Sequence, residues 1–327
     1  MIEPNDEPTG PSLNVGSFFS ALVISASLVP FGLIVLTFFA RYLFAAELVG
    51  NFRLQLFLAL APFPILLWVL GRWRWATVLT AVTIWLGLNL AWVYFPVKQP
   101  PAGTQRLKIM SFNVLGNNFN DGAVRKRIRD EDPDVLVILE YANQWTTALK
   151  QTEKKYPYQI KEPRWHGFGI ALFSKFPLSD SQVLLLTKDE TDNPAIVTKV
   201  TAGQTKIRLA AIHVLSPTNI VRLRLRNEQL EELSDFLVDD KLPTIVMGDF
   251  NGTPWSPFLS DFMKTTGYRD SRQGFGYQAS WHATIWPLLI PIDHAFVSPD
   301  IHVHDRHLGR YAGSDHLPLV FEVSVAE

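Results

Sequence analysis

Nine side chains able to bind a cation, move a proton or hold a phosphate stand at the ends of apolar runs. Asn113 follows Met110-Ser111-Phe112, and Glu140 closes the run Val135–Leu139. His213 closes Leu209–Ile212, and Asp249 and Asn251 lie in Gly248-Asp249-Phe250-Asn251-Gly252. Asp293 and His294 open Asp293–Ser298, and Asp315 and His316 sit in Gly313-Ser314-Asp315-His316-Leu317-Pro318. Any one of these is ordinary. A carboxylate at a strand end is usually a cap, a lone histidine is usually surface or satisfied core, and Asn-Gly is good turn chemistry. As a set they point to chemistry, because strand ends along one sheet edge are where an α/β domain builds its site. The chain has no Cys, which removes thiol nucleophiles, disulfides and thiolate-bound metals. Carboxylates, amides and imidazoles without thiolate suit a hard cation such as Mg²⁺ and reactions at phosphate.

The elements that must position these residues alternate. Arg106–Leu115, Val135–Glu140, Ile170–Ser174, Ala195–Thr201, Lys206–Val214, Thr244–Asp249, Ile292–Val297 and Leu317–Val325 read as strands. Asp121–Asp130, Asn143–Tyr156 and Asn219–Asp239 read as helices, with Asp121 as N-cap and Asp132-Pro133 as stop. This mixture over residues 106–327 predicts one α/β domain.

The order and wording of these motifs resemble the endonuclease/exonuclease/phosphatase superfamily, the fold of deoxyribonuclease I, neutral sphingomyelinases and inositol-polyphosphate phosphatases. Ser-Phe-Asn113-Val, Leu-Glu140, Gly169-Ile-Ala-Leu-Phe-Ser, Ile-His213, Gly-Asp249-Phe-Asn251, Ile-Asp293-His and Ser-Asp315-His316-Leu-Pro carry the resemblance. It implies a four-layer sandwich of two β-sheets flanked by helices, acting as a metal-dependent hydrolase of phosphoester bonds. Glu140, helped by Asn113, resembles the family's Mg²⁺ site, with Asp315 a second metal contact and Mn²⁺ an alternative ion. Asp249 resembles the residue that orients or deprotonates the attacking water, and Asn251 the amide that binds the phosphate. His316 resembles the catalytic imidazole, Asp293 its carboxylate partner, and His213 the second catalytic histidine. The abasic-site endonucleases usually carry Tyr at this last position, so His213 argues against that branch. Physically, phosphoryl transfer spreads charge over non-bridging oxygens, where a metal and cationic donors help most. An Asp beside a His fixes its tautomer and favours its charged form.

The chain divides by charge. Of 30 Lys+Arg and 31 Asp+Glu, only nine fall before residue 104. Three apolar stretches, Phe18–Ala40, Leu54–Leu70 and Trp75–Phe95, read as transmembrane helices within an anchor over residues 18–97. A polar tail over residues 1–17 precedes them, and a Pro/Gly linker over residues 98–105 follows. The second span is short, and Pro62 and Pro64 predict that it is either kinked or packed between the other two. Positive charges count five against two for a cytoplasmic catalytic domain, through Arg41, Arg53, Lys98, Arg106 and Lys108 against Arg72 and Arg74. Three of the five precede a long domain and carry little topological weight. Resemblance to anchored family members with three N-terminal spans favours the outer face of the cell membrane instead.

An anchor beside such a site favours a lipid-linked phosphate ester, diphosphate or phosphodiester as substrate. The alternatives are a nuclease and a non-catalytic membrane scaffold. The second region has 25 Lys+Arg and 27 Asp+Glu, so tight nucleic-acid binding is not expected. His166, just before a motif strand, and Trp286, in the apolar loop Ile285–Pro291, are candidate substrate contacts. That loop either folds onto the core and the membrane helices or dips into the bilayer. Arg222, Arg224 and Arg226 alternate in a helix and read as solvated surface. His302, His304 and His307 read as surface, since no element is apparent to aim them.

Overall fold

A computed structural model describes residues 15–165, 167–186, 192–238 and 242–326. Among them are twelve strands in two mixed sheets. The first sheet holds β1 (Leu107–Asn113), β2 (Val135–Leu139), β3 (Tyr158–Glu162), β4 (Ile170–Ser174), β11 (Ile301–Leu308) and β12 (Leu319–Val325). Their order is β11-β12-β1-β2-β4-β3. The second sheet holds β5 (Leu178–Leu185), β6 (Pro194–Ala202), β7 (Thr205–His213), β8 (Thr244–Asp249), β9 (Arg269–Asp270) and β10 (Asp293–Val297). Its order is β5-β6-β7-β8-β10-β9.

The central strands are continuous apolar runs because both their faces are covered. Ile109, Val137 and Leu172 of the first sheet meet Leu209, Ile245 and Ala295 of the second in the inter-sheet core. Met110, Phe112, Leu136 and Ile138 point the other way, under Val124 and Ile128 of α6 (Asp121–Glu131) and Trp145 of α7 (Asn143–Ala148). Ala210, Ile212 and Val246 likewise lie under α8 (Ile220–Val238) and α9 (Pro257–Thr266). The result is the expected four-layer sandwich.

Several local expectations are corrected. Asn120, not Asp121, caps α6, accepting from the Ala123 amide at 3.3 Å. Asp132 ends that helix in the left-handed region. The helix expected over 143–156 stops at Ala148, whose carbonyl is taken by Arg125 Nη1 at 3.1 Å, and only a 3₁₀ turn follows at Glu153–Lys155. His302, His304 and His307 do have an element to aim them: they lie on β11, where a register shift between Val303 and Asp305 breaks the alternation that would reveal a strand. His302 and His304 are only half-buried, so the surface reading of that segment stands.

Before the sandwich, two helical stretches of 22 residues, Gly16–Thr37 and Trp73–Tyr94, are long and apolar enough to cross a membrane. They correspond to α1 (Val15–Thr37) and to α5 (Trp73–Ala91) with the turn that follows it. Between them lie α2 (Phe44–Gly50), α3 (Arg53–Leu60) and α4 (Pro62–Val69), which together would form a third span bent by 74°. The sharp bend is at Asn51–Phe52 rather than at the prolines. Pro62 opens α4, where its missing N–H leaves no helical bond unmade.

Candidate active site

Register brings the expected residues together. In the first sheet β1 and β2 run parallel, with Asn113 opposite Leu139, so Asn113 and Glu140 leave the same edge. In the second sheet β7 and β8 run parallel with His213 opposite Asp249, and β10 runs antiparallel with Asp293 opposite Asp249. His316 enters from the loop before β12. Ser314 Oγ fixes that loop, donating to the Asn113 carbonyl at 2.7 Å and accepting from the His316 amide at 3.0 Å.

Gly248 permits the approach of β8 to β7. Its φ is +140°, and a Cβ there would overlap the Ile212 carbonyl. Glu140 and Asn251 also sit at positive φ, +58° and +46°. Such non-glycine conformations persist where the surroundings hold them, and they cluster at functional sites.

Asp293 Oδ2 accepts from His316 Nδ1 at 2.8 Å. His316 Nε2 lies 3.6 Å from Asp249 Oδ2, and His213 Nε2 lies 3.5 Å from the same oxygen. Asp249 Oδ1 accepts from the Asn251 amide at 2.8 Å. Burial opposes a charged His316, but Asp293 and Asp249 outweigh it and push the ring up to about 10. Burial also works against ionisation of Asp293, yet the neighbouring imidazolium holds its carboxyl below the usual range. Asp249 is pushed up to about 6, mainly by burial. Burial lowers His213, against the pull of Asp249. The cluster therefore contains one cationic ring, one neutral ring and a carboxylate whose proton affinity suits exchange near neutrality.

On the other side of the site, Asn113 Nδ2 donates to Glu140 Oε1 at 3.1 Å and to Asp249 Oδ2 at 3.3 Å. Asn113 turns its nitrogen to these carboxylates, while its oxygen accepts from the Leu115 amide at 3.1 Å. Glu140 Oε2 accepts from the Gly116 amide at 2.8 Å, and burial pushes its carboxyl up. Asp315 Oδ2 accepts from Trp281 Nε1 at 2.9 Å, whereas its buried Oδ1 has no hydrogen-bond partner among the described residues. An unpartnered buried oxygen beside a desolvated carboxylate, with no sulfur donor, fits a hard divalent cation. A set of ligand-type atoms all within 4.8 Å of one another is formed instead by Asp249, Asp293 and His316. There His316 Nδ1 is already committed to Asp293, so that trio reads better as a proton-handling group. A cleft of about 610 Å³ opens beside Glu140, lined by Gly116, Asn143, Gln144 and Trp165.

His166 lies outside the described residues. Trp286 stands on a 3₁₀ turn, Trp286–Leu288, and is 77% exposed, while Ile290 and Ile292 at the end of its loop are buried. Gln55 Nε2 of α3 donates to the Pro287 and Leu289 carbonyls, each at 3.1 Å. Trp281, Ser280, whose hydroxyl meets the Asp293 amide at 3.2 Å, and Asn193, which donates to the His213 carbonyl at 2.6 Å, carried no sequence signal. Ser314 did carry one, being part of Ser-Asp-His. Arg226, expected on the surface, is fully buried and paired with Glu47 at 2.7 Å. His294 is a structural histidine: its Nε2 meets the Gly252 carbonyl at 2.8 Å, and burial pushes the ring down to about 3.

The sequence matches the profile of the Endonuclease/Exonuclease/phosphatase family over residues 110–316. A search of curated proteins finds no match. Among solved structures, an endonuclease/exonuclease/phosphatase from Beutenbergia cavernae superposes with a TM-score of 0.55 at 18% identity, covering 68% of this chain and 72% of that one. D. rerio TDP2 complexed with a single-strand DNA product gives 0.59 at 18% identity, covering 68% of this chain and 100% of that one. Beta toxin from Staphylococcus aureus gives 0.51 at 19% identity, with 66% and 99% covered. At these identities the structures share the fold.

Proposed function

This chain belongs to the endonuclease/exonuclease/phosphatase family, and on that premise we propose that it is a membrane-anchored, Mg²⁺-dependent phosphoesterase acting on a lipid- or envelope-linked phosphate ester or diphosphate. Family membership makes it a metal-dependent hydrolase of phosphoester bonds; the anchor, the ion and the lipid are our reading. The observation that carries the lipid reading is the loop leading into Asp293. Its carbonyls are hydrogen-bonded to Gln55, on a helix of the apolar region, and its Trp286 ring stands exposed. An exposed indole beside an apolar helix fits the membrane interface.

In this reading Asp249 takes a proton from the attacking water. His316, held charged by Asp293, donates to phosphate oxygens as negative charge builds, and Asn251 and His213 contact the same phosphoryl group. Glu140 and Asp315 would hold the divalent cation, Mg²⁺ or Mn²⁺, whose positive charge polarises the phosphate when bound.

The full chain in mixed micelles, offered a polyprenyl diphosphate, sphingomyelin, inositol phosphates and single-stranded or plasmid DNA, tests the substrate class. Turnover of the lipid-linked substrates is expected to dominate. Preferential cleavage of DNA would favour the nuclease reading, which a solved relative holding a single-strand DNA product supports. Against it stands the slight acidic excess of the catalytic region, 27 Asp+Glu to 25 Lys+Arg.

Changing Trp286, Leu288 and Leu289 together to Ser is expected to raise KM for a lipid substrate at least about 10-fold, since burying one large apolar side chain is worth about 1.5–3 kcal/mol. A water-soluble phosphodiester should be unaffected. A lower melting temperature with both activities falling together would make the loop part of the core and refute lipid docking.

For topology we propose an outward-facing catalytic domain. Arg41 pairs with Asp261 and Arg53 bonds Asn89, so two of the arginines counted for an inward orientation have partners within the fold. That weakens the charge count pointing inward. A reporter active only outside the cytoplasm, fused at Glu327, should be active; a silent, well-expressed fusion would reverse the assignment.

A further inference from the structure

Glu47, Asn51 and Gln55 recur every fourth position through α2, the bend and the start of α3, and each is engaged by the catalytic domain. Glu47 Oε1 accepts from Arg226 Nη2 at 2.7 Å and from Ser256 Oγ at 2.6 Å. Asn51 Oδ1 accepts from the Thr253 amide at 3.0 Å and its hydroxyl at 2.9 Å. Gln55 holds the loop before Asp293, as described above. A tether needs no buried carboxylate, and an ion pair taken out of water is retained only with good geometry and further hydrogen bonds. Glu47 and Arg226 are both fully enclosed, so the pair calls for a structural reason.

That reason lies at the end of the Gly-Asp-Phe-Asn motif, at Asn251 and the glycine that follows it. The second arm of Arg226, Nη1, donates to the Asn251 carbonyl at 3.3 Å, and its Nε donates to Asn227 Oδ1 at 2.9 Å. Gly252 packs so closely on this guanidinium that a Cβ there would come within 2.5 Å of Nη1. From the opposite flank His294 donates to the Gly252 carbonyl and is itself backed by Arg272 at 3.1 Å. The Asn251–Gly252 turn is thus held between two side chains of the catalytic domain, His294 and Arg226, and the second of these is itself paired with Glu47 of α2. Asn251 sits at φ +46°, a conformation that its surroundings must hold.

We infer that Glu47, acting through Arg226, is a positioning residue for Asn251, so that the active site is complete only with α2 docked on the catalytic domain. The inference rests on the reading of Asn251 as a phosphate-binding amide. The apolar region is then a part of the enzyme as well as its anchor, and any displacement of α2 lowers turnover without touching a reacting group.

The test uses the full chain in detergent micelles with bis(p-nitrophenyl) phosphate, a soluble substrate that removes lipid access from the readout. Glu47→Gln keeps an acceptor oxygen but loses the charge that orients Arg226; it should lower kcat/KM about 10-fold in the folded protein, and also lower the melting temperature, because Arg226 stays buried without its counter-ion. Arg41→Ala, which breaks a half-exposed ion pair in the same interface, should behave as wild type. In an Asn251→Ala background Glu47→Gln should add nothing, because both act on one contact. Full activity in Glu47→Gln, or effects that multiply in the double variant, would overturn the inference alone. Wild-type activity in Asn251→Ala would remove Asn251 from the site and this inference with it. Should Glu47→Gln fail to accumulate, Arg226→Lys keeps the ion pair but lacks the fork that reaches Asn251, and the same outcomes apply.

Discussion

Asp249→Asn is expected to lower turnover by at least about 10²-fold and to leave the fold intact, the loss typical of a general base or an electrostatic group. Asn matches Asp in shape, and its Oδ1 can still accept the Asn251 amide, which now lies 2.8 Å from the Asp249 carboxylate. What disappears is a group pushed up to about 6, ionised for most of its time at neutral pH yet basic enough to accept a proton. His316→Ala should be at least as damaging for a second reason. The ring lies between two buried carboxylates, 2.8 Å from Asp293 and 3.6 Å from Asp249, and removing it leaves both without their cation. A lower melting temperature is therefore expected for His316→Ala, since stripping one member from a buried pair costs about 3–5 kcal/mol. His316→Gln, which can still donate toward Asp293, separates the two effects: it should be about as inactive but more stable. Steady-state rates with thermal melts read both. Near-wild-type turnover in either position's variants would remove that residue from the mechanism.

The site was legible because of how the sheets are buried. Strands covered on both faces must be apolar throughout, so the polar residue that ends each run stands out. Asn113, Glu140, His213, Asp249 and Asp293 are all such endings, and β4 and β8 were bounded correctly by the same contrast. Legibility failed where burial did. Strands β3 and β5 lie at sheet edges with mostly exposed or half-exposed residues and offer no apolar run. The helix α9 begins at Pro257, directly after a loop that reads as turn chemistry. Pairings between distant segments were equally hidden. Arginines two apart on α8 cannot share a face, which was sound, but the sequence does not say which one turns inward. Arg226 does so because a carboxylate 179 positions earlier is waiting for it. The bond from Asp293 to His316 was visible only through resemblance, and the Asp315–Trp281 contact not at all.

Chelation with EDTA is expected to abolish activity, and Mg²⁺ or Mn²⁺ to restore it. The argument is a charge count over the site. Glu140, from the first sheet, Asp249 and Asp293, from the second, and Asp315, from the loop before β12, bring four carboxylates to one site, and Asp249 is mostly ionised at neutral pH. Against them stands one ring held charged, His316 at about 10, while His213 is lowered by burial. A phosphate bearing further negative charge would meet net repulsion in a desolvated setting, where Coulomb terms are larger than in water. A divalent cation held by Glu140 and Asp315 would reverse that sign and would give the unpartnered Asp315 oxygen a partner. The same reasoning predicts that Mg²⁺ raises the melting temperature of the substrate-free protein, by linkage worth about 2.7 kcal/mol at a hundred times its Kd. Glu140→Gln should weaken that shift and move the Mg²⁺ dependence of turnover to higher concentration, its single amide oxygen still able to accept from either Asn113 or Gly116. Full activity in chelator, or a melting temperature indifferent to Mg²⁺ in wild type, would break the assignment.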